Sequence, residues 1–171
     1  MLIAGGRVVD PINGIDALLD LRLAEGRIAQ IGEHLPQEDG EERIDASGAT
    51  VAPGFIDMHV HLRDPGFAHK ETLASGTEAA VRGGFTAIAC MPNTQPALDS
   101  PELLGGFAEG RCRVYPIAAI TRDRRGERPC DYAALHAAGA VAFSDDGNTL
   151  MDARVLRDAA LAARDVAGVF I

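Results

Sequence analysis

Two histidines two positions apart, His59 and His61, end the apolar stretch of Pro53-Gly54-Phe55-Ile56-Asp57-Met58-His59-Val60-His61-Leu62-Arg63-Asp64. On a β-strand alternate side chains share a face, so both imidazoles point the same way and can grip one ion. A single histidine beside a strand is ordinarily a satisfied polar residue; the shared face is what points to metal. No cysteine stands near the pair. Structural zinc usually closes its shell with thiolates, whereas catalytic zinc keeps a position for water, so the pattern suits a catalytic site.

The elements that must position this pair change character along the chain. Residues 1–50 offer short extended segments, Leu2-Ile3-Ala4, Arg7-Val8-Val9, Asp20-Leu21-Arg22-Leu23 and Arg27-Ile28-Ala29-Gln30-Ile31, broken by Pro11, Gly14 and Gly26. They read as an antiparallel sheet. From Val51 onward strand signals near 55–61, 85–91, 113–120, 140–144 and 168–171 alternate with helical stretches near 71–83, 100–110, 130–138 and 152–167. In the last of these Met151, Val155, Ala159, Ala162 and Val166 fall at three- and four-residue steps, one apolar stripe able to lie on a sheet. Continuous apolar strands alternating with such helices indicate a parallel sheet covered by helices.

Composition narrows the function classes. The 171 residues, 47% hydrophobic and 24% charged, suffice for a sizeable core. A net charge of −9 argues against binding nucleic acid or an anionic membrane through a basic surface. No signal peptide or long apolar segment is visible, so a cytoplasmic location is expected. Cys90, Cys112 and Cys130 are widely spaced without a C-x-x-C pair, which suggests neither a disulfide framework nor a zinc knuckle. Cys90 reads as a small core residue. His34, His69 and His136 read as surface or packing residues. Glu71 fits the positive end of a helix, and Gly83-Gly84 a helix stop rather than a phosphate loop.

The run His59-Val60-His61-Leu62-Arg63-Asp64-Pro65-Gly66, with Lys70-Glu71-Thr72, Gly83-Gly84-Phe85-Thr86, Met91-Pro92-Asn93-Thr94 and Phe143-Ser144-Asp145-Asp146-Gly147, resembles a dihydroorotase of the amidohydrolase superfamily over nearly the whole chain. Arg63 together with Met-Pro-Asn-Thr separates that family from hydantoinase and allantoinase relatives. The resemblance implies an α/β fold: about the first half of a (β/α)8 barrel in residues 51–171, ending near strand 5, after the N-terminal part of a small β-sandwich in residues 1–50. In such barrels catalytic groups sit at the C-terminal ends of strands and in the loops that follow. His59 and His61 end the first strand, Asn93 follows the second, and Asp145 and Asp146 follow the fourth.

By the same resemblance His59, His61 and Asp146 are metal ligands for one or two zinc ions, Asp146 taking the place of the carboxylated lysine of other relatives, with Asp145 holding the loop. Arg63 and Asn93 match positions that hold the substrate carboxylate, for which a guanidinium is well shaped. On local sequence alone Arg63 could merely pair with Asp64, and Asn93 and Asp145-Asp146-Gly147 could be turn residues. The implied reaction is the reversible, zinc-dependent hydrolysis of (S)-dihydroorotate to N-carbamoyl-L-aspartate in pyrimidine biosynthesis. The implied partners are that small molecule and aspartate transcarbamoylase.

A complete barrel takes about 250 residues. The general acid/base aspartate and two further metal histidines are therefore expected beyond residue 171, and the isolated chain is expected to be inactive and to self-associate through open barrel edges. Another cyclic amidohydrolase, or a non-catalytic scaffold of aspartate transcarbamoylase, is the alternative reading.

Overall fold

The switch from strand-only pattern to strand-helix alternation near Val51 is mirrored in the computed structural model, which describes residues 1–166 and 169–171. It comprises two compact units, Met1–Pro53 and Gly54–Ile171.

In the first unit β1 (Leu2–Asp10), β2 (Ile15–Ala24) and β3 (Arg27–Gly32) form an antiparallel meander. The antiparallel pairing expected of these segments is present, and two further short strands extend the sheet. β4 (Arg43–Asp45) and β5 (Thr50–Val51) both pair parallel to the free edge of β1, against Leu2–Ala4 and Arg7–Val8 respectively. The chain reaches that edge through residues 33–42, crossing back so that it runs in the direction of β1.

A partly buried ion network locks this crossing. The Arg22 guanidinium meets both carboxylate oxygens of Glu41 (2.9 and 3.2 Å), lies 3.2 Å from Glu38, and donates to Gln30 and to the Pro36 carbonyl. The Arg22 bond, aided by the Glu38 backbone N–H, holds the Glu41 carboxyl down at about 2, against an ordinary 4.5. A carboxyl depressed by folding contributes stability above its unfolded value and loses it as pH falls through the folded one. Glu41→Gln is therefore expected to lower the denaturation midpoint at neutral pH, with the gap to wild type closing as pH falls from about 4.5 to about 2. Urea titrations at stepped pH check this; a gap constant from pH 7 to 2 would refute it.

The second unit is a five-stranded all-parallel sheet in chain order: β6 (Phe55–Val60), β7 (Phe85–Cys90), β8 (Arg113–Ala118), β9 (Ala142–Phe143) and β10 (Val169–Phe170). Sequential parallel order with helical crossovers is the first half of a (β/α)8 barrel. Ala87–Cys90, Pro116–Ala118 and Ala142–Phe143 are buried, as strands covered on both faces must be. Tyr132, Phe143 and Phe170 pack edge-on or tilted at 4.8–5.9 Å between ring centres and join β9 and β10 to the helix between β8 and β9. β6 is an edge and exposes Phe55, Ile56 and Met58.

Helix boundaries follow their caps. α1 (Leu73–Arg82) starts at a Thr72/Ser75 capping box and ends at Gly83-Gly84, where Gly84 takes φ +83° and donates to the Val81 carbonyl. Glu71 therefore lies outside the helix, not at its first turn; its carboxylate accepts from Thr72 N and Ser75 Oγ. α2 (Tyr132–Ala137) and α3 (Ala153–Ala163) start at Asp131 and Asp152, whose carboxylates accept from Ala134 N and Arg154 N.

The helix expected over 100–110 is instead two 3-10 segments, Pro101–Leu103 and Gly105–Glu109, because Pro101 and three glycines supply too little helix propensity. The apolar stripe of α3 also shifts. Ala159 is its buried centre and Val155, Ala163 and Val166 flank it, while Ala162 is exposed and Met151 lies before the helix at 87% exposure. Ala167 and Gly168, expected in helix and strand, lie outside the described residues. Among those described, no helix is long and apolar enough to cross a membrane.

Candidate metal centre

Parallel strands align their C-terminal ends, so what the sequence scatters collects at one rim of the sheet. His59 is the penultimate residue of β6 and His61 follows the strand; their rings meet edge-on at 5.2 Å between centres. Asp146 arrives on the loop after β9. Its Oδ1 lies 3.2 Å from His59 Nε2 and its Oδ2 3.8 Å from His61 Nδ1. One donor atom from each of the three residues falls within 4.8 Å of the others.

This donor set fits a zinc ion. Tetrahedral ligands about 2.0–2.1 Å from zinc sit about 3.3 Å from one another, the His59–Asp146 separation. Two imidazoles and a carboxylate are the chemistry of open catalytic sites rather than closed structural ones. Asp146 is the sheltered member at 13% side-chain exposure, whereas His59 is 53% exposed.

Asn93, on the loop after β7, lies between His61 and Asp146. Its Oδ1 accepts from His61 Nδ1 at 3.0 Å and its Nδ2 donates to Asp146 Oδ2. Asn93 thus touches the donor set directly and is not a turn residue alone. Arg63, two residues past His61, is half-buried with φ +61°, a left-handed conformation uncommon outside glycine. It makes no ion pair with Asp64 among the described residues.

The loop after Arg63 is stitched to the loop after Asn93. Gln95 N donates to the Pro65 carbonyl at 3.0 Å, and a Cβ on Gly66 would lie 2.3 Å from the Gln95 carbonyl oxygen. Only glycine allows that approach.

Asp145 is 2% exposed and turns away from the donor set. Its Oδ1 accepts from the backbone N–H of Ile120 (2.9 Å) and Thr121 (3.0 Å), and its Oδ2 from the Thr121 hydroxyl. It holds the loops after β8 and β9 together, leaving Asp146 facing the histidines. Sequence reasoning missed Thr121 and Arg124, the latter bonded to the carbonyls of Asp145 and Asp146. Nothing in a Thr-Arg-Asp-Arg-Arg-Gly run signals either contact.

The other candidates stay apart. His34 and His69 are exposed, and His136 donates from Nδ1 to the Ala140 carbonyl at the end of α2. Cys90 is fully buried, and burial pushes its thiol up to about 11, which keeps it protonated and unreactive at neutral pH. A cleft of about 480 Å³ opens beside the cluster, lined by His59, Ile120, Asp146, Leu150, Leu156 and Ile171 among others.

Residues 48–170 match the family described as Dihydro-orotase-like. A dihydroorotase from Trichlorobacter lovleyi is 47% identical over 164 residues, which cover 93% of this chain and 39% of the relative. One from Solibacter usitatus is 48% identical over 169 residues, with 96% and 39% covered. The chain therefore spans about two-fifths of the length of these curated relatives. Among solved structures, the L-hydantoinase (dihydropyrimidinase) of Arthrobacter aurescens superposes with a TM-score of 0.71 at 24% identity, covering 84% of this chain and 32% of that one. That likeness is one of fold.

Proposed function

Because the chain belongs to the dihydro-orotase-like family, we propose that the full-length protein is a zinc-dependent dihydroorotase, interconverting (S)-dihydroorotate and N-carbamoyl-L-aspartate in pyrimidine biosynthesis. The observation that carries this reading is the meeting of His59, His61 and Asp146, from two non-adjacent strands of a parallel sheet, with Asn93 in contact with both sides.

In this reading His59, His61 and Asp146 hold one zinc ion, or share in holding two. Bound zinc supplies a Lewis acid and lowers the pKa of its water from about 15.7 towards about 7. Arg63 meets the ring carboxylate of dihydroorotate through two parallel N–H donors, and Asn93 adds an amide donor beside it. Ile120, Leu150 and Leu156 give the cleft an apolar wall that strips water from the bound ring. The general acid/base is assigned to an aspartate on the eighth barrel strand, which is not among the five barrel strands β6–β10. A cytoplasmic location and association with aspartate transcarbamoylase belong to the same proposal and rest on the family resemblance.

The test is substrate choice. The zinc-loaded full-length protein should hydrolyse dihydroorotate and leave hydantoin and allantoin, which lack the carboxylate, essentially untouched. Arg63→Met should raise KM for dihydroorotate by about 30-fold to a few thousand-fold, the ~2–5 kcal/mol expected when a desolvated charge loses its partner, with metal content unchanged. Equal turnover of hydantoin by the wild type would sink the assignment.

A further inference from the structure

The loop after β8 carries two successive non-glycine residues in the left-handed region, Asp123 (φ +54°) and Arg124 (φ +58°). Such backbone persists only where its surroundings over-determine it. Here they do. Asp123 N donates to Asp99 Oδ2 (2.8 Å), Arg124 N to the Thr121 carbonyl (3.0 Å), and Asn148 Nδ2 to the Arg124 carbonyl (2.7 Å).

That unusual backbone delivers the Arg124 guanidinium to the base of the Asp146 loop. Its Nε donates to the Asp145 carbonyl at 3.1 Å and its Nη2 to the Asp146 carbonyl. One planar group thus grips the carbonyls on both sides of the residue whose carboxylate faces His59. From the other side, Asp146 N donates to Ser144 Oγ at 3.0 Å.

We infer that Arg124 is a positioning residue for Asp146: by fixing both peptide planes it aims the carboxylate at the metal donors without touching them. The inference rests on the metal reading of His59, His61 and Asp146. A guanidinium suits the task because its rigid fork spans two acceptors at once, whereas an ammonium is a single point on a flexible stem.

Three forms of the full-length protein test this: wild type, Arg124→Lys and Arg124→Met. Zinc affinity is read by chelator competition, the geometry of the site by visible absorption after cobalt substitution, and folding by the thermal midpoint. Arg124→Met should lose about 10-fold to 100-fold in metal affinity, the usual penalty for removing a group that orients a ligand. Its cobalt spectrum should shift, and kcat should fall while KM for dihydroorotate holds. Arg124→Lys should lie between the two and stay folded, which keeps the test valid should the methionine variant unfold. Wild-type affinity and spectrum in both variants would overturn the role of Arg124 alone. A wild type that takes up no metal, or takes it up equally after His59→Ala, would overturn the metal reading and this inference with it.

Discussion

Asp146→Ala in the full-length protein is expected to abolish metal binding and, with it, turnover. On the metal reading, removing the carboxylate takes away the most sheltered of the three donors and leaves His59 and His61 as the remaining members of the cluster among the described residues. It also strips Asn93 Nδ2 of its acceptor, so the residue that ties the rim together is cut loose. Loss of a direct ligand should exceed the ~10–100-fold typical of outer partners. Asp146→Asn is the sharper variant, because an amide keeps the shape and can still accept from Asn93 but is a poor ligand without its charge. Both should show less metal per chain by elemental analysis, and their residual turnover should not recover on adding zinc at wild-type saturating levels. Full metal content and full activity in Asp146→Asn would remove Asp146 from the site.

The second large effect is on stability. Asp145→Ala leaves the buried N–H groups of Ile120 and Thr121 and the Thr121 hydroxyl facing a side chain that cannot accept. Unsatisfied buried donors cost about 1–3 kcal/mol each, and because the three share one acceptor the sum is less than additive, about 3–5 kcal/mol. Against a typical total of about 5–15 kcal/mol, that is enough to depopulate the folded state on mild heating. Asp145→Asn should cost less, since its remaining oxygen can still serve both backbone N–H groups. Urea unfolding of the three forms separates them, and an alanine variant within about 1 kcal/mol of wild type would show that Asp145 is not the clamp between the two loops.

Much of the fold, and the grouping of His59, His61 and Asp146, could be read before any coordinates. The histidine pair needs only strand alternation, and strand-helix alternation after Val51 suffices for a parallel sheet, because both signals repeat over many residues. Asp145-Asp146-Gly147 could not be sorted by local pattern: a turn and a ligand loop look alike until one sees Asp145 buried against Thr121 and Asp146 turned towards His59. β4 and β5 escaped notice because segments of three and two residues carry no period; their pairing with β1 defines them. The 3-10 segments at 101–109 mimic a helix in length but not in propensity. In α3, Ala162 and Ala163 are chemically identical neighbours, so only packing decides which belongs to the buried stripe. The Arg124 contacts were invisible because they depend on a left-handed backbone at Asp123 and Arg124, which local sequence does not signal.

The placement of β6 has one further consequence. His59 sits on β6 and His61 just past it, and Asp146 follows β9, with β7 and β8 lying between them in the sheet. The triangle of donors cannot exist until four strands have docked in register, so on the proposed metal reading an ion would be captured only after that assembly and would not nucleate it. An ion bound across that span is also a staple between the first and fourth strands. It should slow local opening of β6, which hydrogen exchange at Asp57 to Val60, with and without zinc, would register as added protection of that strand.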